Sequence, residues 1–193
     1  LPNTRFIDLQ YGDTEDMRNS FNKDNGIELI HDDSINQMQK EMKIWRQDLH
    51  QIPEIGLEEY ETSKFIENKL KAWNIDFKKG YANTGIVAWI NGKEGSSTKS
   101  IGLRADFDAL PMSEKNLFKY KSKNKGMMHA CGHDGHTTML LGAAKYLKEN
   151  PDFDGTVYFI FQQGEEGFGG GRIMIEDGLF KDFKIDLVYA LHI

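Results

Sequence analysis

One cysteine, Cys131, occurs in 193 residues, so no disulfide can form within the chain and nothing in it requires an oxidising compartment. Basic residues are in deficit: 24 Lys and Arg face 30 Asp and Glu, a net charge of −6. That balance argues against nucleic acid or an anionic membrane surface as a partner. No apolar run approaches the ~20 residues of a membrane-spanning helix. The opening Leu-Pro-Asn-Thr-Arg lacks the basic-then-apolar pattern of a signal peptide. A start at Leu1 rather than Met is consistent with removal of a preceding segment, and the cytoplasm is the default compartment. No internal repeat occurs. The remaining composition, 39% hydrophobic and 28% charged, is ordinary for a soluble globular chain long enough for one domain with a sizeable core.

Residues 1–33 show no steady hydrophobic period and read as an N-terminal extension, with His31 a solvated loop residue. Residues 34–193 carry the folded domain. Ser34 with Gln37 forms a capping-box pattern, and Ile35, Met38, Met42, Trp45 and Leu49 then recur at helical spacing as far as Pro53. His50, at the end of this helix, reads as a capping or packing residue. A second amphipathic helix is predicted from about Glu58 to Trp73, with Phe65, Ile66, Leu70 and Trp73 on one face. Gly85–Ile90 reads as a strand, Gly92–Ser97 as a turn and Ser100–Ala105 as a second strand. Lys115–Lys125, rich in lysine, reads as a solvated loop. A third helix is predicted over Thr137–Lys148 and ends at Asn150-Pro151. Thr156–Phe161 is continuously apolar, as in a strand buried on both faces of a parallel sheet. A short helix over Arg172–Glu176 and a last strand over Asp186–Leu191 complete the pattern. Strands alternating with helices predict an α/β fold, a mostly parallel sheet with helices on both faces.

The densest chemistry lies in Met127–Thr138, Met-Met-His-Ala-Cys-Gly-His-Asp-Gly-His-Thr-Thr, which holds three of the six histidines and the only cysteine. Soft sulfur and borderline imidazole donors this close suit a zinc-like divalent ion. Three strands end in polar residues: one at Asp106, one just before Glu165 and Glu166, one just before His192. In a parallel α/β sheet the carboxyl ends of the strands share one edge, where ligands bind. Cys131, His133, Glu166 and His192 thus have the donor types for one or two divalent ions. Glu165 suits a general base, and Asp106 suits orienting a ligand imidazole or bridging metals. Taken singly, a Glu-Glu pair is usually solvent-facing charge, a lone cysteine a small buried apolar residue, and Asp106 or Asp108 a cap. Their joint occurrence at strand ends points to a metal-dependent hydrolase.

Several blocks in order carry a resemblance to a known family. They are Arg46-Gln-Asp-Leu-His50-Gln-Ile-Pro53-Glu54-Ile-Gly56, Arg104-Ala-Asp106-Phe-Asp108-Ala-Leu-Pro111, His129-Ala-Cys131-Gly-His133-Asp134, Gln162 through Glu165-Glu166-Gly167, and Leu191-His192. Together they resemble the amidohydrolase branch of the M20 metallopeptidases, which includes hippurate hydrolases, N-acyl-amino-acid amidohydrolases and auxin-conjugate hydrolases. Arg104, where other branches have histidine, and Cys131 mark this branch. The resemblance implies a zinc-peptidase-like catalytic domain cleaving the amide bond of N-acyl amino acids. It implies two divalent metals per site, Zn or else Mn or Co, held by Cys131, His133, Glu166 and His192, with Glu165 as acid/base and Asp106 as the site aspartate. His50 and His129 match family positions without an assigned role.

Gln163 stands where the family usually has proline, which loosens the restraint on that loop but removes no donor. Family members also continue into a lid domain that carries a further ligand histidine and most substrate and dimer contacts. The expectation is therefore the first part of a catalytic domain, with a small N-acyl amino acid as substrate and a homo-oligomer left open. The alternatives are an inactive metal-binding half-domain or a peptidase or aminopeptidase of a neighbouring M20 branch.

Overall fold

The computed structural model describes residues 33–93 and 97–193. The extension expected over residues 1–33, with His31, lies outside them except for Asp33, as do residues 94–96 of the expected turn and the side chain of Ser34. The elements, in order, are α1 (Asp33–His50), α2 (Tyr60–Ala72), β1 (Asp76–Tyr81), β2 (Gly85–Asn91), β3 (Ser100–Asp106), α3 (His133–Glu149), β4 (Thr156–Gln162), α4 (Gly170–Glu176), α5 (Leu179–Asp182) and β5 (Leu187–Ala190).

The five strands form one sheet in the order β1-β2-β4-β3-β5. β3 runs parallel to both β4 and β5, while β2 pairs antiparallel with β1 and β4. Only β2 therefore runs against the others, and the expected parallel character holds where β4, β3 and β5 lie side by side. Side chains alternate across the sheet, as the two-residue strand period demands. Ile86, Ala88, Ile90, Val157, Phe159 and Phe161 face α1, α2 and α3, and pack with Trp45, Ile66, Leu70, Leu140 and Leu141. Val87 and Ile160 face the other way and pack with Met174, Leu179 and Phe183. β4 is thus buried on both faces, which is why its sequence is continuously apolar. Trp45 and Trp73 close the junction of α1 with α2, their rings 5.3 Å apart.

Two elements have no clear sequence signal. β1 reads Asp-Phe-Lys-Lys-Gly-Tyr and is mostly exposed. It is an edge strand whose pairing with β2 supplies the structure, and Lys78 and Lys79 give its outer side charge that discourages further pairing. α5 is a single turn. A third difference bears on the site. α3 begins at His133, not near Thr137, so His133, Asp134 and His136 belong to its first turn instead of a preceding loop. Gly132 precedes it at φ 84°, a left-handed conformation that glycine adopts without strain.

Removal of a ring from the shared core should be costly. Phe159→Ala, at a fully buried position of the central strand, is expected to lower unfolding free energy by about 3–5 kcal/mol, measured by denaturant titration of the metal-free chain.

Candidate metal centre

The three parallel strands end together. Asp106 is the last residue of β3 and pairs with Gln162, the last of β4, while Arg104 pairs with Ala190, the last of β5. The chain leaving β4 delivers Glu165 and Glu166, and the chain leaving β5 delivers His192. The first turn of α3 brings His133 to the same edge, with Cys131 two residues before it.

His133 is the centre of the arrangement. Its side chain is 1% exposed. Nδ1 lies 2.9 Å from the backbone carbonyl oxygen of Asp108 and 3.2 Å from its Oδ1. A carbonyl can only accept, so Nδ1 carries the proton and Nε2 presents its lone pair. Nε2 is buried and has no hydrogen-bond partner among the described residues, and the same is true of Glu166 Oε1. Around Nε2 stand Asp106 Oδ2 at 3.7 Å, Glu166 Oε1 at 3.8 Å and Glu165 Oε2 at 4.0 Å. Cys131 Sγ lies 3.6 Å from His192 Nε2 and interacts with the Glu166 carboxylate.

These spacings fit an ion. Donors about 2.0–2.3 Å from a tetrahedral centre stand about 3.3–3.7 Å from one another. Donor atoms of Cys131, His133 and His192 all lie within 4.8 Å of one another, as do those of His133, Glu165 and Glu166. The structure thus brings all four expected ligands and Glu165 into two groups that share His133. Two orphaned buried acceptors aimed at one space are what a cation would satisfy.

Asp106 lies in a third such group, with His133 and His136. Its Oδ1 accepts from His136 Nδ1 at 2.6 Å, and its Oδ2 accepts from Arg104 at 2.7 Å. The tautomer of His136 follows from its other side, because the Ile193 N–H donates to Nε2 at 3.0 Å. Asp106 thus orients an imidazole, but that of His136, a residue given no role from the sequence. Asp108, read as a possible cap, is the larger omission. One of its oxygens faces His133 Nδ1 and the other accepts from the Glu166 N–H at 2.9 Å. A single carboxylate therefore holds two of the expected ligands. Its place in the Arg104–Pro111 block, two residues after Asp106, is the signal in the sequence that marks it.

The turn carrying the glutamates is restrained on both sides. The N–H of Gly164, at φ 58°, donates to the buried Glu59 carboxylate at 2.9 Å, and Asp108 holds Glu166. Glu165 lies between them with its side chain 45% exposed. Gln163 is wholly buried beneath, its amide without a partner among the described residues. The restraint expected to be lost with proline is supplied by carboxylates.

Electrostatics agree with a cation site. Burial, the Glu166 side chain and the charges of Glu165 and Asp106 raise the Cys131 thiol to about 11. Burial opposes protonation of His133, but the hydrogen bond it donates to Asp108 and the charges of Asp106 and Asp108 outweigh it and raise its pKa. Burial likewise opposes ionisation of Asp108, and its bonds to His133 and to the Glu166 and Glu165 amides prevail and lower its pKa.

Residues 102–193 match the family model described as peptidase family M20/M25/M40. The chain is 47% identical over 155 residues to a hippurate hydrolase of Campylobacter jejuni, covering 80% of this chain and 40% of that protein. It is 44% identical over 151 residues to an N-acetyldiaminopimelate deacetylase of Oceanobacillus iheyensis, covering 77% and 39%. The fold superposes with a TM-score of 0.76 and 36% identity on the YXEP protein of Bacillus subtilis, described as a dinuclear metal-binding peptidase of the M20 family, covering 81% of this chain and 43% of that one. The chain spans about two fifths of the length of these curated relatives.

Coordination of an ion by Cys131 would expel the thiol proton, because a thiolate, not a thiol, coordinates. Apparent zinc affinity is therefore expected to rise with pH below about 11 and to fall as the solution is acidified. Cys131→Ser should remove up to about a tenfold change per pH unit from that dependence, as read by competition with a chromogenic chelator between neutral and alkaline pH.

Proposed function

We propose, from the premise that the chain belongs to peptidase family M20/M25/M40, that its site serves metal-dependent hydrolysis of the amide bond in N-acyl amino acids. The observation that carries this reading is the buried His133 Nε2, unpartnered among the described residues, which faces thiol, imidazole and carboxylate donors at ligand spacing. The names of the relatives point the same way: hippurate and N-acetyldiaminopimelate are both N-acyl amino acids, one aromatic and one acetyl.

Cys131, His133, Glu166 and His192 would hold the divalent ion or ions, and a thiolate among carboxylates suits zinc while leaving manganese and cobalt admissible. When bound, the ion supplies Lewis-acid activation of water and of the amide carbonyl. The chain's own residues do the rest. Glu165, exposed at the rim and pinned through the backbone on either side, takes a proton from the attacking water and returns it to the departing amine nitrogen. Asp108 holds His133 with its Nε2 directed inward and sets the backbone of Glu166. Asp106 links Arg104 to His136 and keeps negative charge beside the ligands. A free thiol among the ligands fits a reducing, cytoplasmic setting. Among the described residues no helix is long and apolar enough to cross a membrane.

The test is release of free amino acid from N-acetyl- and N-benzoyl-amino acids by the intact gene product, with zinc, manganese or cobalt added. Glu165→Gln is expected to lower kcat by about 10²–10⁴-fold while the protein still retains metal. Turnover that survives this substitution, or preferential cleavage of unblocked dipeptides, defeats the assignment.

A further inference from the structure

The first turn of α3 carries a buried charge that the proposed chemistry does not use. Asp134, next to His133, is 1% exposed. Its Oδ1 accepts from the Gly135 N–H at 2.9 Å. Its Oδ2 faces His50 Nδ1 at 2.7 Å and Arg46 Nε at 2.8 Å. His50 and Arg46 stand four residues apart in the last turns of α1 and so share one helix face. The other ring nitrogen of His50, Nε2, lies 3.1 Å from Glu114 Oε1. Glu114 in turn accepts from the Ser122 N–H at 2.5 Å and from Asn116 Nδ2 at 3.0 Å.

With a carboxylate on each ring nitrogen, His50 donates twice, and the Asp134 hydrogen bond is the main cause of its raised pKa. The charges balance: two cations, His50 and Arg46, meet two anions, Asp134 and Glu114. Phe118 and Tyr120 lie 5.6 and 5.9 Å from the His50 ring and exclude water from it. His129, 6.2 Å away, is driven down to about 4 by burial and adds no third positive charge. An imidazole that joins α1, the first turn of α3 and the loop around Glu114 restrains the segment that holds both Cys131 and His133.

We propose that His50 is a positioning residue for the metal centre: through Asp134 it locks the first turn of α3, so that Cys131 and His133 stand at donor spacing before an ion arrives. The proposal rests on the ligand assignment made above. It ascribes to His50 an effect on metal affinity beyond its effect on stability.

Two substitutions separate these effects, because each keeps one of the two donors. His50→Asn sets an amide N–H where Nδ1 stands and retains the bond to Asp134. His50→Gln sets it where Nε2 stands and retains the bond to Glu114. The probe is cobalt(II) alone, titrated into the metal-free chain and followed by the cobalt–thiolate absorption, with melting temperature recorded alongside. His50→Gln is expected to weaken cobalt binding by about 10–100-fold, the range for loss of an outer partner of a ligand, whereas His50→Asn stays close to the unsubstituted chain. Equal affinity of the Gln variant, or equal loss in both variants in step with their melting temperatures, overturns the proposal. Should His50→Gln not fold, Asp134→Asn carries the test: it keeps the shape of the side chain but weakens its acceptance from His50, and undiminished cobalt affinity there overturns the proposal. Absence of the cobalt–thiolate absorption in the unsubstituted chain overturns the assignment of Cys131 as a ligand, and the proposal with it. That absorption present, with the His50→Gln affinity unchanged, defeats the positioning role alone.

Discussion

A histidine nitrogen shut away from water, with no hydrogen-bond partner among the described residues, sets the terms for this structure. His133 Nε2 is buried because α3 packs its first turn onto the sheet, and it is left with a free lone pair because Asp108 takes the proton-bearing Nδ1. A buried polar atom in that state costs free energy unless something meets it. Everything nearby is arranged as though a cation would: a thiol, a second imidazole and several carboxylates approach the same space. Without positive charge between them the carboxylates would repel one another, and burial together with the neighbouring Glu166, Glu165 and Asp106 pushes the Cys131 thiol up.

The fold makes this convergence possible by keeping β4, β3 and β5 parallel. Reversal of β3 or β5 would carry Asp106 or His192 to the opposite edge. β2 can run backward at no cost to the site because it delivers no donor. Its task is to bury Ile86, Val87, Ala88 and Ile90 on both faces of the sheet. The site residues gain rigidity from groups outside the donor set. Glu59, reaching Gly164 from just before α2, and Asp108 pin the turn that presents Glu165, and His50 secures the turn that presents His133. Each contact joins segments far apart in the chain, so the geometry of the centre depends on the whole packed unit and not on any single loop.

The relatives named hippurate hydrolase and N-acetyldiaminopimelate deacetylase are 47% and 44% identical to this chain over 155 and 151 residues. The donor set itself supports a metal-dependent site; amide cleavage is proposed from the names of the relatives. The identity of the acyl group depends on surfaces that line a substrate further from the reacting atoms.

The amino-acid order alone determined a good deal. The apolar period marked α1, α2 and the buried strand β4, because burial of one or both faces leaves a direct record in residue type. Cys131, His133, Glu166 and His192 stood out as candidate donors because each lies close to a strand end or a helix start in an unusual polar cluster. Tertiary structure decided what depends on partners distant in the chain. β1 exists through pairing with β2, and its lysines carry no strand signal of their own. The early start of α3, the grip of Asp108 on His133 and Glu166, the pairing of Asp106 with His136, and the charge exchange among Arg46, His50, Glu114 and Asp134 all join separate segments. The same side chains, read in order, are indistinguishable from caps and solvated charges. Only the folded chain removes water from them, and desolvation is what turns proximity into restraint.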